Sequence, residues 1–548
     1  MESENESQSI ELDKNSSDEV EKRKSGIKNF FFGWVEDNYD KTFLLVLAVA
    51  FLIRFWIFTI TLDQALWYDE ASYLATAKKW GLGLDVVDIW YYRRGFFWPA
   101  FASLFYMVGL GEISIKLSVV LISTGIVASS YFLIKEMFNK KLALLVSTAL
   151  TFSWLILFFT ARPLTEIPST LLVMISLIFF WKGYVKKQGN KFIYLFALFF
   201  ALSALTRMQY LTFAPVFLIF IFIKERFNMF KNKALWISLI IFSIVFIPHM
   251  ILYYQHYGNP VTDILSHYFF IDVSGGSIET TEKITGPPNR IFAYFLDLPY
   301  IIRGTQQSGL PSIASQILFL LFLIGIPYFF IDLFLGFDKI FSNEKIQNKL
   351  FILLWIIIPL LYLGYVTTDY VEQRYVMPVL PFIFLITIFP LFKSRALLIK
   401  NFKLEKSSAV IIISLLIILL MPNLIWGVNL TKSKISSYYE VKQAGIWIKQ
   451  NSNPNDIVIT ASHPQIAYYS ERSTYIQGNN ETEFENKIEE LKPRFLILSM
   501  FESHPQWLLQ YPQSHQGLLK PVHALQQQSQ PVLIIYEFDY SNYSNNIP

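Results

Sequence analysis

From residue 43 onward the chain is cut into apolar runs about as long as a bilayer crossing, and that pattern constrains its fold more than any motif does. The runs fall at 43–60, 113–134, 142–160, 168–183, 191–206, 208–224, 235–254, 313–336, 349–366, 376–392 and 408–428, which predicts about eleven transmembrane helices. Hydrophobic residues make up 53% of the chain and charged residues 16%, too apolar a balance for a soluble globular protein. The net charge of +4 is spread between the runs, so no basic surface for nucleic acid is indicated. Cysteine is absent, which excludes disulfides, thiolate metal sites and cysteine nucleophiles.

Lysine and arginine collect in alternate loops. They occur at Lys22, Arg23, Lys24, Lys28 and Lys41, and then around 135–141, 182–187, 224–233, 339–349 and 393–406. Cytoplasmic loops retain positive charge, so these loops are expected inside and the others outside. The parity holds only if 97–110 is a helix lying in the interface or dipping back rather than a full span, which its short apolar length also favours. Three parts are expected: a disordered cytoplasmic tail over 1–42, a transmembrane catalytic module over 43–428, and a small extracytoplasmic α/β domain over 429–548. The first run reads as an uncleaved span, because no small-residue cleavage site follows it. In the last part the pattern predicts helices at 438–450 and 483–491 and strands at 456–461, 495–499 and 532–537. Asn-x-Ser/Thr tripeptides at Asn15, Asn429, Asn480 and Asn542 occur readily by chance and carry no argument.

Chemistry is expected where polar groups meet the outer leaflet. Asp69 and Glu70 directly follow the first span, and carboxylates there suit a base acting on lipid-borne substrate. Asp69 would equally cap a helix over 70–80; the two readings are compatible, since a cap also fixes its carboxylate. Tyr73 and the other aromatic residues of this loop could stack on sugar or belong to an interfacial belt. Arg93 and Arg94 run against the charge rule; a guanidinium clamps phosphate through paired donors, though it also binds bulk headgroups. Arg162-Pro163-Leu164-Thr165-Glu166 packs a cation, a turn and an acid between two spans, and Glu166 could simply open the next helix. Arg207 interrupts an apolar stretch, so it must be paired, hydrated or interfacial. Glu372 and Arg374 stand at the outer mouth of a span loosened by Pro378 and Pro381, either as an ion pair or as part of a phosphate site.

Taken together, these residues resemble the GT-C membrane glycosyltransferases that use polyprenyl-phosphate sugars. Asp69-Glu70 resembles their catalytic-loop motif, and Arg93-Arg94-Gly95-Phe96-Phe97-Trp98-Pro99 looks like the segment leading into their juxtamembrane helix. Residues 161–170 are similar to a span boundary of the lipid-linked-oligosaccharide and glycolipid-anchor mannosyltransferases. Glu372-Gln373-Arg374-Tyr375 resembles the tail of their His-Lys-Glu-x-Arg-Phe motif, with Tyr370 and Val371 where His and Lys would stand. The layout is also similar to that of protein O-mannosyltransferases and bacterial aminoarabinose transferases, and the resemblance covers most of 43–430.

That resemblance implies an α-helical polytopic GT-C fold with juxtamembrane helices in the first external loop. It implies inverting transfer of a hexose, such as mannose, from a dolichyl- or undecaprenyl-phosphate donor to a protein, glycan or lipid acceptor at the extracytoplasmic face of the cell membrane. Asp69 would be the base and Glu70 its support or an acceptor-positioning group. Arg374 would lead in binding the donor phosphate, with Arg93, Arg94, Arg162 and Arg207 as reserves, and Glu166, Glu372 and Tyr73 would position substrate. No metal or other cofactor is called for where arginines neutralise the leaving phosphate. An oligosaccharyltransferase-like enzyme is a rival, but its Trp-Trp-Asp motif has no counterpart, since the chain contains no Trp-Trp pair. A lipid or solute transporter, the non-enzymatic rival, would show internal repeats and mid-span ionisable groups.

Overall fold

The computed structural model describes residues 34–35, 38–259, 288–304, 310–366, 371–403 and 407–541. Most of the tail expected over 1–42, together with Tyr370 and Asn542, lies outside the described residues. The first half contains α1 (Tyr39–Ile60), α2 (Tyr68–Leu82), α3 (Phe97–Met107), α4 (Glu112–Met137), α5 (Lys140–Phe152), α6 (Trp154–Phe159), α7 (Glu166–Phe180), α8 (Asn190–Thr206), α9 (Ala214–Glu225) and α10 (Lys233–Tyr257). There follow α11 (Ala293–Arg303), α12 (Leu310–Leu335), α13 (Glu344–Val366), α14 (Leu380–Phe402) and α15 (Ser408–Ser433).

Among the described residues, nine helical segments are long and apolar enough to cross a membrane. They account for nine of the eleven expected runs. Of the other two, 191–206 is the 17-residue α8, and 142–160 is split at Ser153 into α5 and α6. The split orphans carbonyls that lipid cannot satisfy. Arg54, fully buried in α1, reaches two of them: its Nη2 donates to the Leu150 carbonyl at 3.2 Å and its Nη1 to that of Thr151 at 3.4 Å, while Nη1 also donates to the Ala50 carbonyl of its own helix at 3.1 Å and Nε to Ser123 Oγ at 2.9 Å. A cation inside a span therefore repairs a broken neighbour. Arg54→Met is expected to lower the thermal unfolding midpoint in detergent, by an amount worth about 1–3 kcal/mol per carbonyl left unpaired. An unchanged midpoint would show that the break does not depend on the guanidinium.

The cationic loops meet at one end of the bundle. There Lys135 pairs with Asp40 at 2.7 Å, Lys182 with Glu136 at 3.6 Å and Lys186 with Glu344 at 2.5 Å. At the opposite end α2 lies against α3, which is a short helix, as the 97–110 pattern requires. The approach is close: a Cβ on Gly81 would fall 2.6 Å from the Ser103 carbonyl oxygen.

The C-terminal part comprises α16 (Tyr439–Asn451), β1 (Ile457–Thr460), α17 (His463–Ser470), β2 (Ser473–Tyr475), α18 (Glu481–Leu491), β3 (Phe495–Ser499), α19 (Gln506–Ser514), β4 (Leu519–Gln527) and β5 (Gln530–Phe538). The strands form one sheet in the order β2-β1-β3-β5-β4, parallel from β2 to β3 and antiparallel beyond. The sequence pattern misses the short helices α17 and α19, together with β2, only three residues long, and β4, an edge strand most of whose side chains face solvent and which therefore lacks a buried alternation. Asn480 of one tripeptide caps α18, accepting from the Glu483 N–H at 2.8 Å.

One short helix, α17, ties the two parts together. Ile466 sits in the core of the sheet, while Tyr468 and Tyr469 belong to the core of the membrane-spanning part. The Tyr469 hydroxyl accepts from the Leu66 N–H at 2.9 Å, and the Tyr468 and Tyr106 hydroxyls lie 2.9 Å apart. Lys78 of α2 donates to the Tyr468 carbonyl at 3.2 Å and pairs with Glu471 at 2.6 Å.

Candidate active site

Helix α2 begins earlier than the sequence pattern indicates, at Tyr68, and this changes the reading of the acidic pair. Asp69 is not the cap; it lies in the first helical turn, and Glu70 turns back to accept from the Trp67 N–H at 3.0 Å. This one-sided cap forms because Glu at the third helical position reaches the orphan donor just outside the helix, while the Trp67 indole has no acceptor to return. Glu70 then spends its other oxygen on Arg162, whose Nη1 donates at 3.0 Å, and both side chains are buried. The Arg162 guanidinium lies 3.8 Å from the centroid of the Trp67 ring. Stacking of this kind is worth about 2 kcal/mol when desolvated, and breaking such a buried pair costs about 3–5 kcal/mol. Just before Arg162, Ala161 is held at φ 66°, a conformation that non-glycine residues seldom adopt, and the turn directs the arginine inward.

Asp69 is thereby left to face outward from a fixed helix start. Its Oδ1 meets Arg94 Nη2 at 3.1 Å and its Oδ2 meets Arg374 Nη2 at 3.2 Å. Arg94 is placed by close packing: a Cβ on Gly95 would fall 2.0 Å from the Leu205 carbonyl oxygen, so only glycine lets this loop seat on the end of α8. Tyr73, buried, lies beneath the Arg94 guanidinium at 5.4 Å and meets the site through it. Arg374 lies in the 3₁₀-helix Gln373–Val379 that precedes α14, and the turn is held by Trp355, whose Nε1 donates to the Pro378 carbonyl at 3.1 Å.

Arg374 is the hub. Besides Asp69 it contacts Glu166 at 3.2 Å and Glu372 at 3.1 Å. Glu166, buried at the start of α7, also receives Arg207 Nη1 at 3.0 Å, and the same nitrogen donates to Thr165 Oγ1 at 3.0 Å. Arg207 Nε donates to Gln209 at 2.8 Å, and the Tyr375 ring lies 4.5 Å from Arg207 and 5.5 Å from Arg374. Three guanidiniums thus face three carboxylates, with Glu70 and Arg162 as a separate neutral pair behind them. Burial pushes the Asp69 carboxyl up, but the charges of Arg94, Arg374 and Arg207 outweigh it and hold the group below the ordinary aspartate range.

Asp69, Glu70, Arg94, Arg162, Glu166, Arg207, Glu372 and Arg374 are all brought into this region. Arg93 is not: it turns toward Tyr91, donating to its hydroxyl at 2.6 Å, and lies over the Tyr257 ring at 4.4 Å. Sequence reading missed Thr165, Gln209 and Tyr375 as partners of the arginines. Each lies within two residues of a quoted candidate, but single polar or aromatic residues at span ends carry no pattern of their own.

A family model described as dolichyl-phosphate-mannose-protein mannosyltransferase matches residues 94–252, less than half of the chain. Along nearly its whole length the chain superposes on ArnT from Cupriavidus metallidurans, solved in the apo state and bound to undecaprenyl phosphate. Both superpositions have a TM-score of 0.61 and cover 90% of this chain and 97% of ArnT, at 11% and 10% identity. The chain has the GT-C fold. A further structure with this fold, the archaeal oligosaccharyltransferase AglB from Archaeoglobus fulgidus in complex with an inhibitory peptide and a dolichol-phosphate, matches with a TM-score of 0.56 and 13% identity, over 94% of this chain and 75% of AglB. No curated protein sequence matches the chain. The GT-C layout read from the motifs is therefore met by the architecture.

Proposed function

We propose that this chain is an inverting glycosyltransferase that moves a hexose from a polyprenyl-phosphate donor to an acceptor hydroxyl at the extracytoplasmic face of the membrane. The observation that carries the reading is Asp69, a partly exposed carboxylate held between two arginines, where Glu166 is buried, at the mouth of a GT-C bundle. In support, the same fold accommodates undecaprenyl phosphate in ArnT and dolichol-phosphate in AglB. The loop charge pattern supports the outer face.

Asp69 takes the proton of the acceptor hydroxyl as the acceptor oxygen bonds to the sugar's anomeric carbon. The bond from that carbon to the phosphate oxygen breaks, and the electron pair leaves on the polyprenyl phosphate. Arg374, with Arg94 and Arg207 beside it, stabilises the charge gained by that phosphate, and so no divalent ion is required. Glu166 and Glu372 hold Arg374 in place. Glu70 and Arg162 fix the helix start that carries Asp69. The resting site is charge-balanced, so an arriving phosphate competes with Asp69 for its arginines and, by taking them, frees a carboxylate to act as base.

The test is transfer by the purified chain in sealed vesicles, supplied with labelled polyprenyl-phosphate mannose, glucose or aminoarabinose and an external acceptor. Label is expected to leave the mannose or the glucose lipid, from the outer face, and to do so in excess chelator; release of aminoarabinose, a pentose, would overturn the hexose assignment. Retention of every label sinks the reading. Loss on chelation with recovery on manganese or magnesium would favour oligosaccharyltransferase-like chemistry.

A further inference from the structure

The C-terminal sheet has a feature that the transfer site does not use. The chain leaves β1 for β2 on one side and returns to β3 on the other, so the order β2-β1-β3 places a topological switch point between β1 and β3. In sheets of this kind, ligands bind in the crevice beyond the carboxyl ends of the strands flanking the switch. Those ends are bridged here: Ser462, just after β1, donates to Glu502, just after β3, at 2.9 Å. The crevice also receives the first turn of α17, which starts at His463.

Three observations point to a polar ligand from the catalytic side. Gln465 is fully buried, and no group among the described residues hydrogen-bonds its amide oxygen or nitrogen. It lies three and four residues before Tyr468 and Tyr469, hence on the helix face that meets Tyr106 and Leu66. Second, the crevice lies beside the transfer site: the Tyr469 hydroxyl of α17 accepts from the Leu66 N–H, three residues before Asp69, and the Glu502 charge acts on both Tyr68 and Tyr438. Third, aromatic surface flanks Glu502: the Tyr438 and Phe501 rings lie 6.5 Å apart, and Phe501 and Tyr68 are exposed. An amide buried without a partner lowers stability, and its presence is explained when a ligand supplies the missing bonds.

We propose that this crevice is a subsite for a neutral saccharide ring of the acceptor, with Glu502 accepting from its hydroxyls and the Gln465 amide meeting it from α17. The inference rests on the glycosyl-transfer reading above. A carboxylate disfavours phosphorylated or otherwise anionic sugars, and hydroxyls together with an aromatic face suit a carbohydrate.

The test uses the full chain in lipid nanodiscs with two readouts. One is undecaprenyl phosphate binding. The other is saturation-transfer NMR with neutral disaccharides of mannose, glucose, galactose and N-acetylglucosamine, alongside mannose 6-phosphate and a serine-rich peptide. At least one neutral disaccharide should bind, and mannose 6-phosphate should not. Gln465→Met should raise the unfolding midpoint yet weaken disaccharide binding by about ten-fold or more, with Glu502→Gln weakening it similarly and neither altering undecaprenyl phosphate binding. The subsite is overturned if no disaccharide binds, if binding survives both substitutions, or if only the peptide binds. Failure of the unaltered chain to bind undecaprenyl phosphate would instead count against the donor assignment, whatever the disaccharides do.

Discussion

Asp69→Asn is expected to slow glycosyl transfer by about 10²- to 10⁴-fold while leaving affinity for the polyprenyl phosphate unchanged or higher. The substitution keeps the shape and an acceptor oxygen for the arginines but removes the proton acceptor. It also removes the charge that competes with phosphate for Arg94 and Arg374, hence the sign expected for binding. Because Glu70, and not Asp69, closes the helix start, the loss reflects chemistry and leaves the fold intact. The pH dependence follows the same logic. In the free enzyme the Asp69 carboxyl is held below its ordinary value of about 3.9, so kcat/KM should be flat above roughly pH 5. With donor bound, the arginines are shared with phosphate, Asp69 becomes more basic, and the acid limb of kcat should move to higher pH. Single-turnover rates across pH measure both. A folded Asp69→Asn protein with the full rate would reduce Asp69 to an ion-pair residue.

Arg374→Ala should have the other large effect, through binding and chemistry together. Its guanidinium is the hub for Asp69, Glu166 and Glu372, so removal leaves Glu166 on Arg207 alone and Asp69 on Arg94 alone. We expect kcat/KM to fall by about 10²- to 10³-fold, divided between a higher KM for donor and a lower kcat, since the charge meets the phosphate before and during departure. The unfolding midpoint should fall as well, because a buried carboxylate loses one of its cations. Arg374→Lys separates the two roles: the point charge should restore most of the stability but little of the rate, since an ammonium cannot bridge two oxygens as the planar fork does. Undiminished donor binding in Arg374→Ala would remove Arg374 from the phosphate site.

Much of this was legible in the chain because membrane insertion writes itself plainly into sequence. Apolar runs of crossing length fix the spans, alternate cationic loops give the parity, and carboxylates or arginines at run ends stand out against that background. Convergence of Asp69, Arg94, Glu166, Arg207 and Arg374 could be anticipated from sidedness alone, since all fall at one end of the bundle. What stayed hidden depends on partners distant in sequence. Nothing near Arg54 announces the broken helix a hundred residues on whose carbonyls it satisfies. Glu70 and Asp69 are chemically similar neighbours, and only the backbone start at Tyr68 decides which one caps and which one faces out. Arg93 and Arg94 are indistinguishable until Gly95 seats the loop on α8. The C-terminal elements were caught where their apolar pattern is strong and missed where a strand is short or solvated or a helix, as in α17 and α19, runs for only two or three turns.

With Ile466 anchored in one core and Tyr468 and Tyr469 in the other, α17 behaves as a weld rather than a hinge. The sheet cannot lift away like a hatch to admit an acceptor without tearing out side chains that both halves need for their own packing. Under the proposed function the route to the site is then a fixed doorway, with the lipid-anchored donor arriving from within the bilayer and the acceptor from above it.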